Sequence, residues 1–202
     1  MAVRLVPYSI DDVFSLLFAT RQVPSFDSLS DGITQISESN VGLDGVVVSS
    51  PTFTHESVIR EAISNNISVF TEKPVDETAE KIEALFEYSS NFDAELCCGF
   101  QRRFDPSYVA AADAVAAGRA GTPTMAHLFF ADHPVPERKF LLTGGNIFMD
   151  LLAHDADYIL HVLGDDDDVI SVYATGSSSD EELEAAGVHD NAVVVVKTRR
   201  GK

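Results

Sequence analysis

Short β-branched runs alternate with segments of helical spacing over residues 44–100. The run that ends at Pro51 is followed by a helix with apolar residues on one side, and the pattern then repeats. The predicted strands are residues 44–51, 67–71 and 94–100, and the predicted helices are residues 55–64 and 76–88, the second capped by Asp76. This order and spacing predict a right-handed, parallel, doubly wound α/β sheet that is covered on both faces.

The pattern extends toward the amino terminus. Residues 2–8 form a short β-type run and residues 10–19 have helical spacing, while residues 28–37 fit a helix or a strand.

The second half of the chain has a different order of elements. It contains a predicted helix at residues 106–117, strands at 124–130, 169–174 and 192–198, and a long helix between the first two strands. Strands grouped after a helix indicate an α+β domain with a mostly antiparallel, open sheet. We therefore predict two domains, residues 1–104 and residues 105–202. The acidic run at residues 165–168 fits a solvated loop better than a metal site.

Residues 143–164 predict one long helix that runs from a diglycine to a glycine stop. Asp150, His154, Asp157 and His161 recur on one side of it. An ordinary surface helix explains a polar stripe, although such helices usually carry Lys, Glu and Gln. Asp and His are the groups best suited to proton transfer near neutral pH. The helix alone leaves both interpretations open.

Charge and composition disfavour several classes of partner. The 202 residues carry 32 acidic and 14 basic side chains, a formal net charge of −18. Because no basic run occurs, nucleic acid and anionic membrane surfaces are poor partners. The sequence shows neither an apolar run near ~18 residues nor a signal peptide, so we expect a soluble, cytoplasmic protein. Cys97 and Cys98 are adjacent in a predicted strand and point to opposite faces, which disfavours a mutual disulfide.

Four motifs, taken together, resemble those of one enzyme family. They are DGVVVSSPTFTH at residues 44–55, EKP at 72–74, GFQRRFDP at 99–106, and a diglycine at 144–145 followed by Asp150, His154, Asp155 and Asp157. In this order and spacing they resemble the Gfo/Idh/MocA oxidoreductases, and among them inositol 2-dehydrogenases and related sugar or polyol dehydrogenases. The resemblance implies an incomplete Rossmann-like domain for NAD or NADP over residues 1–104. It also implies a substrate domain over residues 105–202, whose open sheet commonly forms the interface of a homo-oligomer, a dimer or a tetramer.

The resemblance implies catalytic roles for Lys73, Asp150 and His154. Oxidation of a secondary alcohol moves a hydride to the nicotinamide, requires a base for the hydroxyl proton, and is helped by a cation near the oxygen. On this interpretation His154 accepts the proton, Lys73 polarises the substrate oxygen, and Asp150 binds a substrate hydroxyl or orients its neighbours. We expect the three to converge on one cleft, lined by groups that suit a polyhydroxylated ring or sugar.

Further binding residues follow from the same resemblance. The predicted cofactor contacts are Ser50, Pro51, Thr52, His55, Glu72, Lys73 and Gln101. The predicted substrate contacts are Lys73, Arg102, Asp150, His154 and Asp157. Arg103 fits either a ligand contact or a structural ion pair, for example with Asp105.

The sequence departs from the family at its amino-terminal end. The Gly-x-Gly-x-x-Gly turn that receives the pyrophosphate does not occur in these residues, and the earliest glycines are Gly32, Gly42 and Gly45. Residues 2–10 instead resemble the family's second strand, with Ser9 or Asp11 near the adenosine ribose. We therefore expect these 202 residues to be an incomplete gene model, a fragment or a degenerate copy, and to bind dinucleotide weakly.

Two functions of other classes also fit the sequence. A non-catalytic sugar-binding or regulatory protein would keep the fold and lose the cofactor. A metalloenzyme using Asp150 and His154 fits by spacing, although no third ligand is identifiable and the Lys73 motif has no role in it.

Overall fold

The computed structural model describes residues 26–38, 42–144, 146–164 and 168–199. The elements predicted at residues 2–8 and 10–19, and Ser9 and Asp11, lie outside the described residues. The chain divides into two compact units, Met1–Gly99 (unit 1) and Phe100–Lys202 (unit 2).

Unit 1 contains a parallel three-stranded sheet. Its strands are β1 (Gly45–Val48), β2 (Ser68–Glu72) and β3 (Leu96–Gly99), in the order β1-β2-β3. Val46 pairs with Val69 and Thr71 with Cys98, so the carboxyl ends of all three strands lie at one edge. The predicted parallel α/β sheet is confirmed.

The helices of unit 1 are α1 (Leu29–Glu38), α2 (His55–Ser64) and α3 (Ala79–Ser89). Residues 28–37, which fit a helix or a strand by sequence, are therefore helical. Helix residues such as Ile59, Ile63 and Leu85 share a buried core with the strand residues Val46 and Val69. Truncating a fully buried Ile such as Ile59 to Ala in a core of this kind costs about 2–5 kcal/mol.

Only one face of the sheet is covered by the described helices. Val46, Val48 and Val69 lie beneath them, whereas Val47 and Phe70 on the other face are 55% and 44% exposed. The sequence predicted cover on both faces, because a run of consecutive valines is typical of a sheet buried on both sides.

The cap of α3 differs from the prediction. Thr78, rather than Asp76, is the N-cap, and its hydroxyl accepts a hydrogen bond from Lys81 N at 3.3 Å. Asp76 is 2% exposed and pairs instead with the Lys81 ammonium at 3.2 Å. Hydrogen bonding to Asp76 raises the pKa of Lys81. A polar residue just before a helix predicts that a cap exists there, but with Asp76 and Thr78 both in that position the sequence does not show which of them provides it.

Unit 2 contains an antiparallel pair of strands, β4 (Val169–Ser177) and β5 (Asn191–Thr198), as predicted. Its amino-terminal helix is α4 (Pro106–Ala116), capped by Asp105. The predicted strand at residues 124–130 is wrong, since these residues have no regular secondary structure. A β-type run forms a strand only when a neighbour completes its ladder, and in the described part of the chain β4 pairs with β5 alone. No helix among the described residues is long and apolar enough to cross a membrane.

Candidate active site

The segment that carries the Asp and His residues forms three helices. They are α5 (Arg138–Gly144), α6 (Ile147–Asp150) and α7 (Leu152–Leu163). The prediction of one continuous helix is therefore wrong, although the glycine stop is confirmed: Gly164 has φ +74° and ends α7. Leu151 is a turn residue between the two helices, so Asp150 closes α6 while His154 lies in the first turn of α7.

The side chains of the predicted stripe lie in different environments. His154 is only 7% exposed, and its ring meets Phe100 edge-on with centroids 6.5 Å apart. Asp150 is half-buried, and His161 is exposed. The stripe is therefore not a uniform solvated face, because its second member is enclosed within unit 2.

Two consecutive arginines bind two acids of α7. They lie in the 3₁₀ helix Gln101–Phe104, and Arg102 pairs with Asp155 while Arg103 pairs with Asp157. Arg103 Nη2 is 2.7 Å from Asp157 Oδ1, and its Nε is 2.9 Å from Asp157 Oδ2. The partner of Arg103 is thus Asp157 rather than Asp105, whose carboxylate caps α4. Hydrogen bonding to Asp157 raises the pKa of Arg103.

These ion pairs flank His154 on the helix. At about 100° per residue, Asp155 lies about 100° to one side of His154 and Asp157 about 60° to the other. Contacts on both sides of a residue resist rotation of the helix about its axis. A third contact is the Tyr158 hydroxyl, which donates to the Tyr108 carbonyl at 3.0 Å. Burial raises the pKa of Tyr158.

Arg102 is the more enclosed of the two arginines. It is 7% exposed, and its guanidinium carbon lies 5.5 Å from the Tyr108 ring centroid and 4.9 Å from that of Phe130. Within the described part of the chain, its buried Nη2 atom meets no hydrogen-bond acceptor. The prediction that Arg102 and Asp157 contact the substrate stays a prediction; both side chains make ion pairs within unit 2.

The other predicted site residues, except Gln101, lie at the carboxyl edge of the unit 1 sheet. Glu72 ends β2, and the half-buried Lys73 follows it before a cis peptide bond to Pro74. Ligands of open parallel sheets bind outside the carboxyl ends of their strands. The Glu72-Lys73-Pro74 segment thus has the position expected of a ligand-binding loop.

The loop after β1 lies at the same edge. Ser50 and Pro51 lead into the 3₁₀ helix Thr52–Thr54, and the hydroxyls of Ser50 and Thr54 are 2.6 Å apart. Thr52 is half-buried and Pro51 exposed. In unit 2, Gln101 is exposed at the start of the 3₁₀ helix that carries the arginines.

His55 lies between the two loops of unit 1. Its side chain is 1% exposed, with Nε2 2.8 Å from the Ser50 carbonyl oxygen and Nδ1 3.0 Å from the Pro74 carbonyl oxygen. The structure thus joins His55 to the loops that carry Ser50 and Lys73. In unit 2 it joins Arg102 and Arg103 to α7.

Several residues of these arrangements were not assigned a role from the sequence. Asp155 and Phe100 lie inside the motifs quoted above. Two adjacent arginines in one motif and two aspartates separated by one residue in another are the signal that could have predicted the two ion pairs. Thr71, whose hydroxyl is 3.4 Å from His55 Nδ1, has no such signal. Among the described residues, no group of three or more His, Cys, Asp and Glu side chains is placed to hold a metal ion.

Both halves of the chain match one protein family. Residues 15–98 match the oxidoreductase family with an NAD-binding Rossmann fold, and residues 108–202 match the GFO/IDH/MocA C-terminal domain. The chain belongs to the GFO/IDH/MocA oxidoreductase family. The resemblance stated from the four motifs is thereby confirmed.

Two curated relatives of this GFO/IDH/MocA chain are inositol dehydrogenases. Inositol 2-dehydrogenase from Rhizobium meliloti (strain 1021) is 34% identical over 166 residues, which are 82% of this chain and 50% of the relative. Myo-inositol 2-dehydrogenase from Thermotoga maritima is 33% identical over 160 residues, which are 79% of this chain and 47% of the relative. The chain spans about half the length of the curated relatives that it matches.

Solved structures support the fold of this GFO/IDH/MocA chain. A myo-inositol dehydrogenase from Corynebacterium glutamicum is similar with a TM-score of 0.62 and 26% identity, over 96% of this chain and 50% of that one. A scyllo-inositol dehydrogenase from Lactobacillus casei, solved with NAD(H) and scyllo-inositol, has a TM-score of 0.62 and 26% identity, over 79% of this chain and 48% of that one. The predicted fold class is confirmed.

Proposed function

We propose that this chain belongs to an NAD(P)-dependent dehydrogenase that acts on a secondary alcohol of a cyclic polyol or sugar, in the manner of an inositol 2-dehydrogenase. The observation that carries the proposal is the enclosed His154, held on α7 between the Arg102–Asp155 and Arg103–Asp157 ion pairs. An imidazole held in this way is suited to accept a proton at a fixed position. Membership in the GFO/IDH/MocA family supports NAD as the cofactor, with NADP as the alternative.

In the proposed oxidation, the cofactor takes the hydride and side chains of the chain handle the proton and the developing charge. When bound, the nicotinamide accepts the hydride from the alcohol carbon. His154 takes the hydroxyl proton, so that the carbon–oxygen single bond becomes a carbonyl. Lys73 stabilises the charge that develops on the oxygen, and Asp150 accepts a hydrogen bond from a neighbouring hydroxyl. That these three side chains meet at one substrate stays a prediction.

The remaining predicted residues have supporting roles in the proposal. The loop of Ser50, Pro51 and Thr52, with Glu72 and Gln101, contacts the cofactor. Arg102 offers the substrate its buried Nη2 donor, which meets no acceptor in the described part of the chain. Asp157 acts mainly by holding α7 through Arg103.

A non-catalytic sugar-binding protein is the second candidate function. It would use the same polyol-binding groups without hydride transfer. A fluorescence titration with NADH and NADPH, with calorimetry using myo-inositol, separates the two: binding of the polyol without either dinucleotide supports the second candidate and contradicts the first.

The test of the dehydrogenase uses matched variants of the purified chain. Because we expect weak dinucleotide binding, NAD is supplied at high concentration. We then expect NADH to form from NAD and myo-inositol, and we expect Lys73→Met to abolish this while the exposed Lys197→Met does not. Removing a general acid–base or charge-stabilising group costs about 100- to 10,000-fold in rate. Equal activity of the two lysine variants would contradict the assignment of Lys73. If the unsubstituted chain binds neither dinucleotide and forms no NADH, the proposal that these 202 residues act as a dehydrogenase is wrong.

We further propose that the face of the β4–β5 sheet that carries Val172 and its cross-strand partner Val196 makes the contact between subunits of a homo-oligomer. Large apolar side chains are exposed along both strands: Val169, Ile170, Val172, Tyr173, Val193, Val195 and Val196. Exposed apolar surface of this extent is typical of an interaction site. Sedimentation analysis of wild type against Val172→Lys tests it: the variant should sediment as a smaller species, and a monomeric wild type would contradict the proposal.

A further inference from the structure

The side chain of His55, the first residue of α2, is enclosed. It is 1% exposed, whereas histidine is a residue type of only intermediate burial. Nε2 lies 2.8 Å from the carbonyl oxygen of Ser50 and Nδ1 lies 3.0 Å from that of Pro74. The ring therefore spans from the loop after β1 to the loop after β2.

The two carbonyls belong to loops to which the proposed function assigns different tasks. Ser50 begins the loop that contacts the cofactor, and Pro74 directly follows Lys73. The partners are five and nineteen residues away in sequence, so one rigid ring joins segments on neighbouring strands. Thr71, at the end of β2, adds a hydroxyl 3.4 Å from Nδ1 and itself donates to the Glu72 carbonyl at 3.1 Å.

The imidazole does something at this place that the aliphatic core residues of α2 cannot do. The other buried residues of α2 are aliphatic, among them Val58, Ile59 and Ile63. Burying a polar ring costs free energy unless its nitrogens are hydrogen-bonded. A neutral imidazole donates to one of the two carbonyls and an imidazolium to both, and either form links polar backbone groups in a way that an aliphatic side chain cannot.

We propose that His55 is a positioning residue that fixes the Lys73 loop relative to the cofactor loop. The inference rests on the proposed function, in which Lys73 acts at the substrate oxygen and residues 50–52 hold the cofactor. It replaces the direct cofactor contact predicted for the His55 side chain, because the ring is enclosed and directed at the two carbonyls. A misplacement of about 1 Å between reacting groups lowers a rate by about 100-fold, so a fixed loop spacing matters for hydride transfer.

The test compares His55→Leu with His55→Gln and with a control in the same helix. Leu fills the space without hydrogen bonds, and the Gln amide restores a donor that reaches one loop. Ile63→Val is the control, since Ile63 is fully buried in α2 and lies in the aliphatic core. Thermal unfolding of all three variants shows how much of any loss of activity or of exchange protection is due to lower overall stability.

The first readout is hydrogen–deuterium exchange, which requires no activity. In His55→Leu the amides of residues 72, 73, 75–77 and 52–54 should exchange about tenfold faster than in Ile63→Val. His55→Gln should lie between Leu and wild type. Equal exchange in His55→Leu and Ile63→Val would overturn the proposal, whether or not the chain is a dehydrogenase.

The second readout compares the change in kcat with the change in KM for NAD. In His55→Leu we expect kcat to fall about 10- to 100-fold and KM for NAD to rise, with partial recovery in His55→Gln. A loss in His55→Leu no larger than in Ile63→Val would contradict a positioning role. If the wild-type chain forms no NADH, the proposed function fails by itself, and the exchange measurement still decides whether His55 holds the two loops.

Discussion

The guanidinium of Arg103 binds both carboxylate oxygens of Asp157, with Nη2 2.7 Å from Oδ1 and Nε 2.9 Å from Oδ2. Such a bidentate pair fixes direction as well as distance. The Asp157 side chain is 9% exposed, so the pair is partly withdrawn from solvent on the α7 side. The neighbouring Arg102–Asp155 pair acts on the other side of His154. Together they define the rotation of α7 and the direction of the proposed base.

The first prediction concerns this pair. Asp157→Asn should lower the free energy of unfolding of the chain by on the order of 1 kcal/mol, because a charged acceptor is lost. It should also lower kcat more than it raises KM for NAD, since α7 carries the base rather than the proposed cofactor loop. Chemical denaturation and steady-state kinetics measure the two effects.

A double-mutant cycle shows whether the two residues act together. Arg103→Leu and Asp157→Asn should be less than additive in unfolding free energy, with a coupling of about 0.5–2 kcal/mol. Asp113→Asn, at an exposed position of α4, is the control and should not couple to Arg103. Additive effects of Arg103→Leu and Asp157→Asn would mean that the pair does not hold α7.

The second prediction compares two histidines of the same helix. His154 is enclosed and His161 is exposed, although both belong to the stripe seen in the sequence. His154→Asn should lower kcat about 100- to 10,000-fold, because it removes the proposed base. His161→Asn should leave kcat within about twofold, as surface substitutions usually do. Equal effects of the two substitutions would refute the assignment of His154.

Local sequence patterns were sufficient for the three strands of unit 1 and for α2, whereas residues 28–37 fitted a helix or a strand. The predicted helix at residues 55–64 coincides with α2, because its apolar side repeats at helical spacing and Pro51 ends the preceding strand. The predicted strands contain β1, β3 and most of β2. In these segments the buried residues that stabilise each helix or strand are close together in sequence. Their spacing therefore reveals the helix or strand.

The break between α6 and α7 had no such signal. Leu151 and Leu152 are good helix formers, and neither Gly nor Pro interrupts them. The position of α6 depends instead on distant contacts, since Ile147 N donates to the His189 carbonyl at 3.3 Å and the Phe148 ring meets that of His189. The position of α7 depends on arginines that are 53 and 54 residues away from their partners. Contacts between residues so far apart in sequence can override local helix propensity, and they produce no periodic pattern in the sequence.

The third prediction concerns pH and the connection between β4 and β5. Burial alone would raise the pKa of Asp190, but hydrogen bonds from Ser179 and Asn191 lower it below its ordinary value of 3.8. The folded chain therefore holds this proton less readily than the unfolded chain. The stability that Asp190 contributes is present above about pH 3.8 and is lost as the pH falls through the lower, folded-state value.

Thermal unfolding between about pH 2.5 and 5 measures this contribution. Asp190→Asn should reduce the fall in unfolding midpoint over that range, because its amide does not titrate there. Asp113→Asn serves as the exposed control and should keep the wild-type profile. A profile of Asp190→Asn that is parallel to wild type would show that the carboxylate does not anchor Ser179.

The last prediction concerns the class of substrate. The proposed contacts Lys73, Arg102, Asp150 and His154 supply several hydrogen-bonding groups, which suits a ring that carries a hydroxyl at each carbon. A site that hydrogen-bonds a substrate hydroxyl rejects an analogue lacking it by about 10,000- to 100,000-fold, because the protein groups are left unpaired. We therefore expect kcat/KM for myo-inositol or scyllo-inositol to exceed that for cyclohexanol by at least about 100-fold. Asp150→Ala should reduce this ratio, since it removes one discriminating group, whereas Asp113→Ala should not. Turnover of aliphatic alcohols or hydroxy acids alone, with no turnover of polyols or aldoses, would exclude the polyol assignment while leaving a dehydrogenase in place.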